Sequence, residues 1–252
     1  MILVFGGTTE GRRVCAALSG TSYPFWYSSK TAIEMSLPAN GQYRFGAFTP
    51  PALEEFCIKH QIRLIIHASH PFAAILHDTI EEVAGRKNIP VIRFERQYPP
   101  RIQHSLVQYA GTYEEVLELL NDGAYEPVLS LTGVQTIARM QAYWRKKKMY
   151  FRILPRDSSV AIAREANFPE SDLLLSFPEK TVADEIKVIQ QTGAKAVVTK
   201  ESGESGFLSV KIDAAIASGI QMFIIRRSDL PKHFISLYEE AALLEQINKI
   251  YG

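Results

Sequence analysis

The chain opens with Ile2-Leu3-Val4-Phe5-Gly6-Gly7-Thr8-Thr9-Glu10-Gly11-Arg12. A short apolar run, a glycine turn and an amphipathic stretch in this order are typical of the first βα unit of a parallel sheet. Glycines let the backbone approach a phosphate, and amides at a helix start can donate to it. The segment matches neither Gly-x-Gly-x-x-Gly nor a Walker loop, since no Gly-Lys-Ser/Thr follows. A tight βα turn without a ligand is the alternative interpretation.

The same alternation of apolar runs and amphipathic segments continues to the end of the chain, and it predicts an α/β fold with largely parallel sheets. Thr112 and Thr181 are predicted helix N-caps, and the last helix is expected to carry a stripe from Leu237 to Ile247. The predicted strands are Ile2 to Phe5, Phe25 to Ser28, Tyr43 to Phe45, Leu64 to His67, Val91 to Phe94, Leu106 to Tyr109, Val128 to Leu131, Met149 to Ile153, Leu173 to Ser176, Ala196 to Thr199 and Met222 to Ile225.

The length of 252 residues predicts two domains. Turn-forming residues at 122–127 separate a predicted helix from a fresh strand, so we place the boundary there and expect domains of residues 1–125 and 126–252. A cleft between two such domains is the expected ligand site.

The composition describes an ordinary globular protein. Hydrophobic residues make up 46%, and 28 basic against 27 acidic residues give a formal charge of +1. Such a balance provides no general attraction for nucleic acid or anionic membranes, so neither is an expected partner. Because no basic or long apolar leader precedes the first strand, we expect a cytoplasmic protein. Cys15 and Cys57 share no metal-ligand spacing, and no metal is expected.

The second predicted strand ends in Tyr27-Ser28-Ser29-Lys30, without the acidic residue that contacts the ribose hydroxyls of NAD. Hydroxyls and a lysine suit a 2′-phosphate, which favours NADP over NAD; a solvated loop is the alternative. The candidate cofactor residues of the first half are Gly6, Gly7, Thr8, Thr9, Arg12, Ser28 and Lys30.

The second half offers a competing anion site. Lys200-Glu201-Ser202-Gly203 follows a predicted strand and combines a cation, a hydroxyl and amides at a helix start. The residues that could hold the cofactor from this side are Thr132, Gly133, Lys200, Ser202 and Gly203.

Two further patterns have an ordinary and a functional interpretation. His67 and His70 have a metal-like spacing but no third ligand, and Arg93 and Glu95 form either a structural pair or a ligand contact. Tyr143 and Lys147, with Ser130 upstream, have the spacing of a short-chain dehydrogenase, although the lysine lies in a basic surface run.

Four motifs together resemble the precorrin-6A reductase family, and their order and spacing match over nearly the whole chain. They are Leu3 to Arg12, Ala68 to Ala73, Arg93 to Arg96 and Val198 to Gly203. One departure is His67, which stands where the family commonly has aspartate. A histidine there is expected to act near the substrate with a different pH dependence.

The resemblance implies two Rossmann-like domains and NADPH-dependent reduction of the C18–C19 double bond of precorrin-6A or its cobalt form, in cobalamin biosynthesis; NADH is the alternative cofactor. The substrate is then a polycarboxylate tetrapyrrole, and the candidate substrate-binding residues are His67, His70, Arg93, Arg96 and Arg226. His70 is the candidate proton donor, with water as the alternative. The competing hypotheses are the Tyr143 dehydrogenase and a non-catalytic protein that binds a tetrapyrrole or a nucleotide. The sequence does not indicate an oligomeric state.

Overall fold

The computed structural model describes all 252 residues and confirms the α/β fold. Every predicted strand is present with its ends within two residues of the expected positions. The strands are β1 (Ile2–Phe5), β2 (Phe25–Ser29), β3 (Gly41–Phe45), β4 (Leu64–His67), β5 (Val91–Phe94), β6 (Val107–Ala110), β7 (Val128–Ser130), β8 (Met149–Ile153), β9 (Leu173–Leu175), β10 (Ala196–Lys200), β11 (Gln221–Ile225) and β12 (Ile235–Leu237).

Thr112 and Thr181 cap their helices as predicted, each accepting a hydrogen bond from an amide three residues ahead. Leu237, predicted at the start of the last helical stripe, instead ends β12. The α-helices are α1 (Thr9–Ser19), α2 (Pro50–Lys59), α3 (Ala74–Lys87), α4 (Tyr113–Asp122), α5 (Gln141–Trp144), α6 (Asp157–Glu165), α7 (Val182–Thr192), α8 (Leu208–Ala217) and α9 (Glu240–Tyr251).

The first compact unit comprises Met1–Gln97 and Ser228–Gly252. Its six strands are all parallel, in the order β12-β5-β4-β1-β2-β3. The strand order reverses beside β1, and ligands of open α/β sheets bind at the carboxyl ends of the strands at such a point. The Gly6-Gly7 turn after β1 therefore occupies the expected position of a ligand site.

The second compact unit comprises Tyr98–Arg227. Its strands are also all parallel, in the order β6-β11-β10-β7-β8-β9. β7 has the place that β1 has in the first sheet, so the turn at Thr132 and Gly133 lies at the equivalent reversal point. The two sheets thus have the same strand order.

The predicted boundary after residue 125 differs from the observed division. β6 follows β5 in the chain but pairs with β11, whereas β12 follows β11 and pairs with β5. Each sheet therefore takes its sixth strand from the segment that follows the other sheet's fifth strand. Residues 98–125 consequently belong to the second unit and residues 228–252 to the first.

Both faces of the first sheet are covered by helices. On one face, Val14 and Leu18 of α1 pack with Leu243 and Ile247 of α9. On the other, α2 and α3 contribute a second buried cluster that includes Leu53. All four residues of β1 are buried, as expected for a strand covered on both sides.

The second unit has a comparable core with a buried ion pair beside it. Ile189 of α7 and Ile212 of α8 pack in one apolar cluster with strand residues such as Val197. Arg152 in β8 donates to both carboxylate oxygens of Glu185 in α7, at 3.0 and 2.9 Å, and both side chains are buried. No helix in either unit is long and apolar enough to cross a membrane.

We expect a fragment of residues 1–125 to fail to fold, because it lacks β12 and α9. The loss of Leu243 and Ile247, which are fully buried, removes packing that is worth about 2–5 kcal/mol for each side chain. Far-ultraviolet circular dichroism during thermal unfolding tests this expectation. The matched control joins residues 1–97 to 228–252 through a flexible linker of about ten Gly and Ser residues. Cooperative unfolding of the 1–125 fragment, or none in the control, would contradict the observed division.

Candidate active site

The turn after β1 is built from glycines that allow three elements to touch. A Cβ at Gly6 would lie 2.1 Å from the Tyr27 hydroxyl oxygen, and one at Gly11 would lie 2.7 Å from the Gly6 Cα. Gly7 has a φ of +88°, and its amide donates to the Tyr27 hydroxyl at 2.8 Å. Hydrogen is therefore the only side chain that fits at Gly6 and Gly11, and α1 begins directly against β1 and β2.

Thr8 holds this turn in place with its side chain. Its Oγ1 accepts the Gly11 amide at 3.0 Å and donates to the Ala68 carbonyl at 2.6 Å. Since a hydroxyl has one hydrogen, the donor of Thr8 is fully used, and a ligand at this turn meets backbone amides instead. Of the other predicted cofactor residues here, Thr9 and Arg12 are exposed.

A buried ion pair lies beneath the first turn of α1. Arg96 donates to the Glu10 carboxylate at 2.6 Å, and both side chains are buried. A carboxylate is favourable at a helix N-terminus, where the helix dipole is positive. The sequence reasoning did not include Glu10. A substrate contact of Arg96 stays a prediction, and the structure gives its guanidinium an internal partner.

The end of β2 has the hydroxyls and the lysine that the sequence suggested. Ser28 Oγ accepts a hydrogen bond from Arg44 at 2.7 Å, and Ser29 Oγ lies 2.8 Å from the Tyr43 hydroxyl oxygen. Lys30 is exposed at the end of the strand. Ser28 thus positions a guanidinium that the sequence reasoning did not include.

The imidazole of His67 is fully buried. The centroids of the His67 and His77 rings lie 4.8 Å apart in an edge-to-face arrangement, and Nδ1 of His67 lies 3.2 Å from Ser69 Oγ. Burial, together with the nearby charge of Arg93, holds the pKa of His67 well below its ordinary value and lowers that of His77 to about 4. Both rings are therefore neutral near pH 7. The expectation that His67 acts near a substrate stays a prediction, and burial disfavours the charged form of its ring.

Arg93 and Glu95 form the structural pair that was one of the two interpretations. Arg93 donates to both oxygens of Glu95 at 3.1 Å, and the two side chains are 1% and 2% exposed. Removing one partner of such a pair leaves an uncompensated buried charge. Substrate contact of Arg93 remains a prediction, and the observed role of the residue is internal.

His70 differs from His67 because it is only half-buried. Its Nδ1 accepts the amide of Phe72 at 3.2 Å. The proton of the neutral ring is therefore on Nε2, which is the nitrogen that can donate. This arrangement fits the proposed proton donor. The metal interpretation gains no support, since no group of three or more His, Cys, Asp or Glu residues is placed to hold a metal ion.

The turn after β7 in the second unit is held by a chain of hydroxyls. Ser130 and Thr132 lie 2.7 Å apart, Thr132 and Thr136 lie 2.5 Å apart, and Thr136 donates to the Gly133 carbonyl at 2.7 Å. Because each hydroxyl has one hydrogen, Ser130 donates to Thr132 and Thr132 to Thr136. Thr132 therefore has no donor left for a ligand, while Gly133, with φ of +83°, keeps the turn open.

Lys200, at the end of β10, has a lowered pKa. Burial and the nearby Arg139 lower the pKa of Lys200 to about 8. Ser202 and Gly203 are buried, and Gly203 has a φ of +72°. The neighbouring Glu201 accepts two hydrogen bonds from Arg101, at 2.8 and 3.0 Å.

Positive charge accumulates at this end of the second sheet. Lys211 is buried, and its pKa falls to about 7 through desolvation and the nearby Arg152. Arg226 is exposed directly after β11. The sequence suggested Lys200 and Arg226, because they follow predicted strands. Lys211 lies inside α8, where no sequence pattern marked it.

The hydroxyl of Tyr143 is not placed as the dehydrogenase interpretation requires, although Lys147 Nζ lies 5.3 Å from the centroid of the Tyr143 ring. Tyr143 is buried, its hydroxyl donates to the backbone carbonyl of Tyr125, and burial raises its pKa to about 12. Ser130 is bonded to Thr132 rather than to Tyr143. Tyr143 therefore serves the core of the second unit.

A protein-family model described as "Precorrin-6x reductase CbiJ/CobK" matches residues 1–248. The precorrin-6A reductase of Rhodococcus erythropolis is 33% identical over 236 residues, which cover 91% of this chain and 90% of that protein. The cobalt-precorrin-6A reductase of Synechocystis is 30% identical over 236 residues, with 90% and 88% coverage.

One solved structure has the same fold. It is described as "CobK precorrin-6A reductase", and it superposes with a TM-score of 0.77 at 19% sequence identity, covering 99% of this chain and 96% of the other. At this identity the likeness concerns the fold, whereas the family model and the sequence relatives span nearly the whole chain. The chain therefore belongs to the precorrin-6x reductase CbiJ/CobK family, whose fold consists of two Rossmann-like domains.

Proposed function

We propose that this protein reduces the C18–C19 double bond of precorrin-6A or cobalt-precorrin-6A with a nicotinamide cofactor, NADPH being preferred to NADH. The observation that carries the proposal is the family match over residues 1–248. The proposal agrees with the names of the relatives, which are precorrin-6A and cobalt-precorrin-6A reductases.

The first unit fits a dinucleotide on structural grounds. The turn follows β1 at the reversal point of the sheet, where such folds bind ligands, and the glycines Gly6 and Gly11 let α1 begin directly against Tyr27 and β1. Gly7 and Thr9 at this turn are exposed. The residues that would hold the cofactor are Gly6, Gly7, Thr8, Thr9 and Arg12 at the first turn, with Ser28 and Lys30 at the end of β2. When bound, the cofactor supplies a hydride to the ring.

The second unit fits the anionic substrate. Lys200 and Arg226 bring positive charge to the carboxyl end of its sheet, and carboxylates are the natural counter-ions of such groups. Thr132 and Gly133 would shape the floor of this region through their backbone. We assign binding of the substrate carboxylates to this unit, with Ser202 and Gly203 among the contacting residues. The reverse assignment, in which this unit holds the cofactor, is an alternative outcome of the binding experiments.

A proton must reach the ring in addition to the hydride. We assign it to His70, since Nε2 is the donor nitrogen and the ring is half-buried. His67 and Arg93 have a supporting role in this proposal. They are buried, paired in register on β4 and β5, and they fix the end of β4, three residues before His70.

The reaction is tested by anaerobic incubation of the purified protein with precorrin-6A, with and without cobalt. We expect substrate-dependent oxidation of NADPH together with a change in the macrocycle absorption spectrum. Parallel reactions with NADH measure the cofactor preference. Binding of both ligands without oxidation would support the non-catalytic alternative, and binding of neither would contradict the proposal.

We expect anion binding to weaken as the pH rises through about 8, because Lys200 loses its proton there. Below this pH the ammonium is charged and binds a carboxylate or phosphate. Lys200→Ala should lower affinity by about 1.5–3 kcal/mol, as for a lost hydrogen bond to a charged group. Calorimetric titration with substrate and with NADPH between pH 6.5 and 9.5 measures both effects.

Lys200→Arg is the matched control for this pH dependence, since arginine stays charged throughout the range. The anion affinity of Lys200→Arg should change less with pH than that of the natural protein. Any dependence that persists in Lys200→Arg belongs to other groups, such as Lys211. Identical pH profiles for the natural protein and both variants would remove Lys200 from the site.

His70→Gln should lower the rate of ring reduction by about 100-fold or more while cofactor binding is retained, as expected for a lost general acid. The matched control is His104→Gln, since His104 is exposed and its Nδ1 accepts the Leu106 amide at 3.2 Å in the same local geometry. Single-turnover absorption measurements give the rate. An unchanged rate in His70→Gln would mean that the proton comes from water.

A further inference from the structure

Arg44 lies near the strand ends that contact the adenosine ribose in dinucleotide-binding sheets. It is the penultimate residue of β3 and is paired in register with Ser28, the penultimate residue of β2. The carboxyl end of the second strand is where such folds meet the adenosine ribose of the cofactor. A side chain at this point contacts either the 2′-hydroxyl or a 2′-phosphate.

The guanidinium of Arg44 is held in one orientation by three contacts. One terminal nitrogen donates to Ser28 Oγ at 2.7 Å, and the other donates to the carbonyl of Phe45 at 3.0 Å. The guanidinium carbon lies 3.7 Å from the centroid of the Phe48 ring, which is a close cation–π stack. The group is therefore already ordered before a ligand arrives, which reduces the entropy cost of binding.

No carboxylate neutralises this half-buried cation. Its hydrogen bonds go to a hydroxyl and a backbone carbonyl, and its other contacts are with the rings of Phe48 and Phe56. The buried arginines of the same unit are different, since Arg93 is paired with Glu95 and Arg96 with Glu10. Arg44 uses two of its five N–H donors in the contacts described, so the remainder can serve an anion.

The surroundings of Arg44 favour a phosphate over a ribose hydroxyl. The end of β2 has no acidic residue, and Lys30 adds an exposed positive charge there. Gly46, with φ of +109°, follows at the end of β3, and a Cβ at this position would come within 3.3 Å of an Arg44 terminal nitrogen. Glycine leaves that edge of the guanidinium clear.

We propose that Arg44 binds the 2′-phosphate of NADPH and is the residue that makes the protein select NADPH over NADH. The inference rests on the proposed function, which places the dinucleotide on the first unit. The planar fork of an arginine matches two phosphate oxygens, and Lys30 contributes a second charge from the adjacent strand. NADH has no group to neutralise Arg44, so its binding gains nothing from this residue.

The direct test uses two nucleotides that differ only in the 2′-phosphate, namely 2′,5′-ADP and 5′-AMP. We expect the natural protein to bind 2′,5′-ADP at least 10-fold more tightly than 5′-AMP. Arg44→Ala should weaken 2′,5′-ADP and NADPH by about 10- to 100-fold, the range of a charged hydrogen bond, and leave 5′-AMP and NADH unchanged. Equilibrium titration by calorimetry measures all four constants.

Arg44→Lys and Arg86→Ala complete the design. Lysine keeps the charge but cannot reproduce the fork or the flat stack on Phe48, so Arg44→Lys should retain part of the preference. Arg86 is a half-exposed arginine of the same unit that forms surface pairs with Glu54 and Glu82, and Arg86→Ala should bind like the natural protein. Thermal unfolding of each variant verifies that it is folded. If Arg44→Ala does not fold, the comparison of Arg44→Lys with the natural protein provides the test.

The outcomes separate this inference from the proposed function. Equal binding of 2′,5′-ADP by the natural protein and by both Arg44 variants would overturn the role of Arg44, even where precorrin-6A is reduced by NADPH. A natural protein that reduces precorrin-6A with NADH as readily as with NADPH would overturn the selectivity alone. A preference for 2′,5′-ADP that depends on Arg44, without reduction of precorrin-6A, would retain the phosphate site and reject the reaction.

Discussion

The close contact of Gly6 and Gly11 with Tyr27 is the constraint on which the first unit depends. It sets the distance between β1, β2 and the start of α1, and a hydrogen side chain is the only one that fits at either glycine. The same turn is joined to β4 through the bond from Thr8 to Ala68, so three adjacent strands are fixed around one point. The polar ends of β1, β2 and β4 meet there as a direct result of the packing.

Local sequence predicted the strands with fully apolar runs, such as β1 and β4, because a strand covered on both faces must be apolar throughout. It did not predict β12, whose residues Ile235 and Ser236 are exposed and leave no apolar run. Nor did it predict which sheet receives β6. Periodicity describes the faces of a strand, whereas the choice of an edge partner depends on contacts between residues distant in the chain.

The sequence predicts candidate residues at strand ends, but it does not predict which of their side chains are buried or paired. Strand ends identified Lys200, Ser28 and His70 because ligands of such sheets bind at carboxyl ends. The same rule also selected His67 and Arg93, which the fold buries and engages internally. Arg44 was not among the predicted residues, although it is the penultimate residue of β3. Its hydrogen bond to Ser28 and its stack on Phe48 cannot be read from the sequence.

The exchange of sixth strands has a consequence for the order of folding during synthesis. The second unit is complete once the chain has been made to Arg227, but the first unit needs β12 and α9, which are made last. At about 5–20 residues per second, the ribosome needs roughly 7 to 28 s to extend the chain from Gln97 to Leu237. During that interval the edge of β5 that pairs with β12 and the surface of α1 that packs against α9 lack their partners, so the first unit is completed only at the end of synthesis.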